Sequence, residues 1–348
     1  MQISKEDLNW AADQGVISRE QADRLWSVFS SRPRTGNVFD LAHVAYYFGA
    51  LIVISAMGWF MTLGWERFGG GGIFLISAAY ALCFIFAGRE LWFKRELIVP
   101  GGLLFTLAVW MTPLAVYGLE RMIGFWPQSD PGTFRDFHEW IRGSWILMEL
   151  STILTGLIAL RFIRFPFLTF PVAFTLWYMS MDLTPLLAGS PFTWRARLWV
   201  SAIFGLVVLI IAYVVDHRSK NDYAFWLYLF GLMAFWGGLS LMESGSESKK
   251  FLYCLINVGL MVFAVLLDRK VFIVFGSLGV FGYLEHLSWS VFKDSMLFPF
   301  ALTFIGILVI YCGIKYQRHQ VRIAAAIFRL IPPGMRRFLP QHRQHAHG

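Results

Sequence analysis

Charge is what this chain has least of. Only 15% of its 348 residues are Asp, Glu, Lys or Arg, where soluble domains carry about a quarter. With 57% hydrophobic residues and a mean hydropathy of +0.57, that scarcity excludes an ordinary soluble globule. Cysteine is scarce too. Cys83, Cys254 and Cys312 all lie in apolar runs, at spacings that give neither a disulfide framework nor a zinc site. The N-terminus opens with Lys5, Glu6 and Asp7 and has no apolar h-region, so a signal peptide is not expected.

Catalytic signatures are missing as well. There is no Ser-His-Asp order, Cys-His pair, His-Glu-x-x-His or Walker pattern. The glycine run 69–72 has no strand before it and no Lys-Ser/Thr after it, and reads as a loop rather than a phosphate cradle. His43 and His286 fall near opposite faces of the membrane, too far apart to share a haem. The thioethers of Met179 and Met181 point to different faces of a helix, so no copper site is expected. The sequence therefore predicts no enzyme, no cofactor and no metal.

What the chain does have is long apolar runs of about 18–23 residues, enough to cross a hydrocarbon core of roughly 30 Å. Phe (34) and Trp (15) are abundant, as suits lipid and headgroup contact. Ten spans are predicted, over residues 41–63, 72–88, 97–119, 144–160, 165–187, 196–215, 223–242, 251–267, 271–289 and 296–314. The fold expected is all-α: a polytopic helical membrane protein of about ten transmembrane helices with a short N-terminal cytoplasmic helical hairpin. With both termini inside, 21 of the 30 Lys and Arg residues face the cytoplasm, as the positive-inside rule asks. The net charge of +8 thus reads as topology and lipid contact, with no nucleic-acid partner.

Three regions follow. Residues 1–40 form the hairpin and its linker. Leu8 to Gln14 reads as a helix stopped at Gly15. Ser18 with Gln21 forms a capping-box pattern, and Ala22, Leu25, Trp26 and Phe29 give the second helix an apolar stripe. So small a unit cannot bury a core alone. It is expected to dock on the membrane domain, on itself or on a protein partner. Residues 41–315 form the transmembrane bundle. Residues 316–348 form a basic cytoplasmic tail, with an amphipathic helix over 322–331 that meets anionic lipid. A further helix is expected near Asp130 to Ile141, either lying on the outer membrane surface or packed as a cover over the bundle.

Ionisable groups at membrane depth are costly, roughly 2.5–3.5 kcal/mol each, so those within the spans are the candidate site. Glu149, Asp182, Glu285 and His286 fall at one level, the outer third of the membrane, and Asn257 joins them. One reading is a single outward-facing polar pocket that binds a cation, relays protons or holds a cationic substrate. The other is that each residue sits near a helix end, meeting headgroups or pairing with Arg142, Arg195 or Arg197. Prolines at Thr112–Pro113 and Thr184–Pro185 free backbone carbonyls at comparable height. Gly276, Gly279 and Gly282 read as helix-packing positions.

The stretch Leu8-Asn-Trp-Ala-Ala-Asp-Gln-Gly-Val-Ile-Ser-Arg-Glu-Gln-Ala-Asp resembles the opening of the bacterial membrane proteins grouped as domain of unknown function 2157 (DUF2157). Trp177-Tyr-Met-Ser-Met-Asp-Leu-Thr-Pro185 and Lys293-Asp-Ser-Met-Leu-Phe-Pro-Phe300 are similar to stretches of those proteins. The resemblance implies an inner-membrane location and brings no activity. Two functions follow as expectations: a transporter or permease-like protein with an outward-facing acidic site, or a non-catalytic scaffold that recruits a partner through residues 1–40.

Overall fold

A computed structural model describes residues 5–31, 41–64, 68–125, 145–188, 193–219, 221–242, 245–291 and scattered positions between 296 and 315. Among these residues every regular element is a helix. The chain divides into two compact units at Ala45 and Tyr46. The predicted helices near Asp130 and over 322–331, the terminal histidines and most of the run 296–314 lie outside the described residues.

In the first unit, α1 (Lys5–Asp13) and α2 (Arg19–Ser31) touch each other. Gly15 turns between them at φ 73°, a left-handed conformation that costs glycine little. The amide of Gln21 donates to Ser18 Oγ at 3.1 Å, and the amide of Ser18 donates to Gln21 Oε1 at 2.8 Å. Two of the free N–H groups at the start of α2 are thereby answered. Leu8 and Ala22 are buried, while Trp10 and Val28 stand exposed. α3 (Leu41–Gly64) follows.

In the second unit most helices pack against their neighbours in the chain. α4 (Gly69–Arg89) runs on into a π-helical turn at Glu90–Lys94. α5 (Ile98–Trp110) and α6 (Thr112–Met122) form one broken rod, interrupted at Met111 with Pro113 in the first turn of α6. Proline has no N–H to continue the ladder, so the predicted span 97–119 divides here. Then come α7 (Trp145–Phe162), a 3₁₀ turn at Pro166–Leu168, α8 (Thr169–Ala188), α9 (Trp194–Arg218), α10 (Phe225–Ser240), α11 (Glu247–Leu267) and α12 (Lys270–His286). A π turn at Leu287–Val291 extends α12.

Among the described residues six stretches are long and apolar enough to cross a bilayer: Gly69–Lys94, Ile98–Met122, Trp145–Phe162, Trp194–Arg218, Glu247–Leu267 and Lys270–Ser290. Their apolar side chains face outward as well as inward. On α9, Leu198, Ala202, Gly205, Leu209 and Ala212 are buried at helical spacing, while Ile203, Leu206, Ile210 and Val214 are exposed. A helix apolar on every side suits hydrocarbon surroundings, and the protein is membrane-embedded.

Small residues set the helix contacts. A Cβ on Gly205 of α9 would fall 2.3 Å from the amide nitrogen of Phe235 on α10, and one on Gly118 of α6 would fall 2.5 Å from that of Phe74 on α4. Gly70 meets the backbone of Met122 just as tightly. The glycine run 69–72, expected as a loop, is instead the first turn of α4. Within it the lack of a side chain on Gly70 serves this close approach to α6. Between α8 and α10 the core is aromatic: Phe170 meets Trp226 at 4.7 Å and 69°, and Phe174 meets Phe230 at 5.6 Å and 87°. These edge-to-face contacts fix the height of α8, and with it the position of Asp182.

Candidate functional site

Glu149 stands one turn into α7, and Asp182 lies in the last two turns of α8. The two helices pack together, which brings the two carboxyls within electrostatic reach of each other. Glu149 is 4% exposed and Asp182 3%. No N–H or O–H of another described residue reaches any of the four oxygens. Thr184, also fully buried, leaves its Oγ1 in the same condition. Arg197, in the first turn of α9, lies within electrostatic reach of Asp182.

The surroundings are half aromatic and half hydroxyl. The ring of Tyr178, one turn before Asp182, stacks on Trp145 with centroids 5.7 Å apart and planes at 22°. Both carboxyls and Arg197 bear electrostatically on Tyr178. One turn beyond Arg197, Ser201 donates to the Ala234 carbonyl at 3.2 Å, and its Oγ lies 3.3 Å from that of Ser180. Thr152 turns its hydroxyl onto the Met148 carbonyl at 2.6 Å. Pro185 lies inside α8, so the carbonyl four residues back, on Met181, receives no amide from that position.

The other candidates stand among different contacts. Asn257 of α11 is fully buried. Its Oδ1 accepts from the Trp236 indole at 3.0 Å, its Nδ2 donates to the Tyr253 carbonyl at 2.8 Å, and Gly276 and Gly279 of α12 close on it. It is a packing latch between α10, α11 and α12. His286, at the end of α12, has Nε2 3.1 Å from Glu247 Oε2 and 3.0 Å from Lys250 Nζ at the start of α11. Glu285 is exposed. Glu149 and Asp182 thus come together across one helix pair, whereas the described contacts of Asn257 and His286 are with α10, α11 and α12.

The structure adds groups that the sequence reading passed over. Glu120, near the end of α6, is 3% exposed, and both its oxygens lack a hydrogen-bond donor among the described residues. Asp216, near the end of α9, is 1% exposed and bound to Arg269. Arg269 Nη2 donates to Asp216 Oδ1 at 2.5 Å, Nε donates to Oδ2 at 3.2 Å, and Nη1 donates to Asp222 at 2.7 Å. The Tyr228 hydroxyl donates to Asp216 Oδ2 at 3.3 Å. Both acids lie one residue past the end of a predicted span and so read as loop. Pairing across 53 residues leaves no local pattern in the chain.

Chemically, the carboxyl pair invites positive charge. Two neighbouring carboxyls that are both ionised repel, and burial makes each charge more costly. A proton shared between them, or a cation, supplies what no donor among the described residues does. Among the described residues no three of His, Cys, Asp and Glu gather as a metal site. Comparison with family models, with curated proteins and with solved structures finds no match for this chain.

Proposed function

We propose that the protein is a proton-coupled, permease-like carrier of the bacterial inner membrane, and that the Glu149–Asp182 pair takes up and releases the coupling proton. One observation carries this reading: all four oxygens of the pair are buried and none has a donor from another described residue. With one proton on the pair, the remaining negative charge is answered by Arg197, and the group is neutral as a whole. When the proton leaves, the pair carries a charge that α7 and α8 do not accommodate, which biases the helices toward a second arrangement.

In this reading α3, α8, α10 and the run 296–314 complete ten spans with both termini cytoplasmic. That layout agrees with small carriers built from five plus five helices and with the DUF2157-like resemblance.

The test is difference infrared spectroscopy of the full chain in liposomes during a pH step. A carboxylic C=O band is expected to appear as protons bind and to be lost in Glu149→Gln or Asp182→Asn. The same variants are expected to abolish substrate-dependent collapse of an imposed pH gradient. An unchanged band in both variants sinks the proposal.

A second reading, a scaffold that recruits a protein partner, is favoured by the exposure of Trp10, Val16 and Val28 on and between α1 and α2. It predicts that deleting residues 1–31 abolishes the biological effect while the infrared band stays.

A further inference from the structure

We infer that the groove between α4, the α5–α6 rod and α7 holds one acyl chain of an anionic phospholipid, with the lipid phosphate on Arg89. The groove encloses about 500 Å³, within the range of roughly 300–1,000 Å³ typical of ligand sites. Its walls are almost wholly apolar. Ala81, Ile85 and Arg89 line it at four-residue spacing on α4, followed by Phe93, while Ala108 and Ala159 leave the space on the facing rods. Besides Arg89, the polar lining is Thr112 and Thr155, and Thr155 turns its hydroxyl back to the Ser151 carbonyl. Water needs two to four polar partners to occupy a cavity, and this lining does not offer them.

Length and charge name the occupant. From Ala81 to Phe93 the groove runs about 18 Å at the helical rise, close to the depth of one leaflet, roughly half of a 30 Å hydrocarbon core. Arg89 stands one turn short of the Phe93 end and is exposed there. It makes no ion pair or hydrogen bond with another described residue, because the adjacent carboxylate of Glu90 is taken by Lys94 at 2.7 Å. Arg161 and Arg164, which flank the lining residues Phe162 and Ile163, are likewise exposed and without an ion pair to a described residue. An apolar slot of one-leaflet depth with a guanidinium at its mouth matches a phosphodiester headgroup above a single chain. A neutral headgroup gives Arg89 less to hold, and free phosphate leaves the slot empty.

The experiment is native mass spectrometry of the full chain released from bilayers containing equal phosphatidylglycerol and phosphatidylcholine. One tightly held phospholipid per chain is expected, with phosphatidylglycerol preferred by about fivefold or more, as one positive charge near a headgroup supplies. Arg89→Gln, at an exposed position, is expected to fold and to lose the preference. Ala81→Trp, which fills the slot, is expected to release lipid of either kind. Wild-type protein that retains no lipid, or an Arg89→Gln variant that keeps the full preference, overturns the inference.

Discussion

Replacing Asp216 with Asn removes one charge from a buried ion pair while keeping the shape of the side chain. Asp216 accepts two bonds from Arg269, at 2.5 and 3.2 Å, and one from Tyr228 at 3.3 Å. Breaking a buried pair by removing one partner costs about 3–5 kcal/mol. Arg269 keeps its bond to Asp222 and a side chain that is 15% exposed, which argues for the lower end, about 3 kcal/mol. Burial alone would lower the Arg269 pKa, but hydrogen bonds and charges from Asp216 and Asp222 outweigh it and raise the value. The guanidinium is therefore charged in the intact pair, and removing the Asp216 charge leaves it Asp222 as its acidic partner among the described residues. At about 2–4 °C per kcal/mol, Tm in detergent is expected to fall by roughly 6–12 °C. Arg269→Met leaves Asp216 with only the Tyr228 hydroxyl among the described residues and is expected to cost more. The double variant is expected to recover part of the loss, giving a coupling of about 1 kcal/mol or more. A shift below about 2 °C for Asp216→Asn, or strict additivity in the double variant, refutes the reasoning.

Three further outcomes follow from the packing. Gly205→Val drives a branched side chain into the Phe235 backbone, where even a Cβ would stand at 2.3 Å. It is expected to cost at least about 3 kcal/mol, read as loss of monodisperse protein by size-exclusion chromatography. Asn257→Ala takes the acceptor from the Trp236 indole. A cost of about 1–3 kcal/mol is expected, with a changed near-ultraviolet circular dichroism from Trp236. Ser18→Ala removes the oxygen that caps α2. Amides 19–22 are expected to exchange about fivefold faster by hydrogen–deuterium exchange, as a loss of about 1 kcal/mol implies.

Local patterns were legible in the chain and long-range ones were not. The Ser18–Gln21 cap is written within four residues, and both its bonds are present. The apolar runs locate α4, α7, α9, α11 and α12, because length and hydropathy are properties of the segment alone. The break at Met111 is signalled by Pro113, but a hydropathy window runs straight across it. Which charged groups meet is a different matter. Glu149 and Asp182 are 33 positions apart and come together only because α7 packs on α8. Similar depth in separate helices carries no information on which helices touch, so His286 finds Glu247 and Lys250 instead. Glu120 and Asp216 were lost to an error of three residues in a helix end, the least certain feature of any sequence reading.

The connection between α11 and α12 is only two residues long. Asp268 closes α11 in a left-handed conformation, φ 56° and ψ 37°, and Arg269 leads directly into α12. So short a reversal leaves no slack, and the rotational phase of one helix dictates that of the other. One residue inserted there would turn α12 by about 100° about its axis. Gly276 and Gly279 would swing away from Asn257, and the guanidinium at position 269 would leave its acid. The number of residues in this joint is thus itself a structural parameter, as binding on the fold as the identity of any side chain.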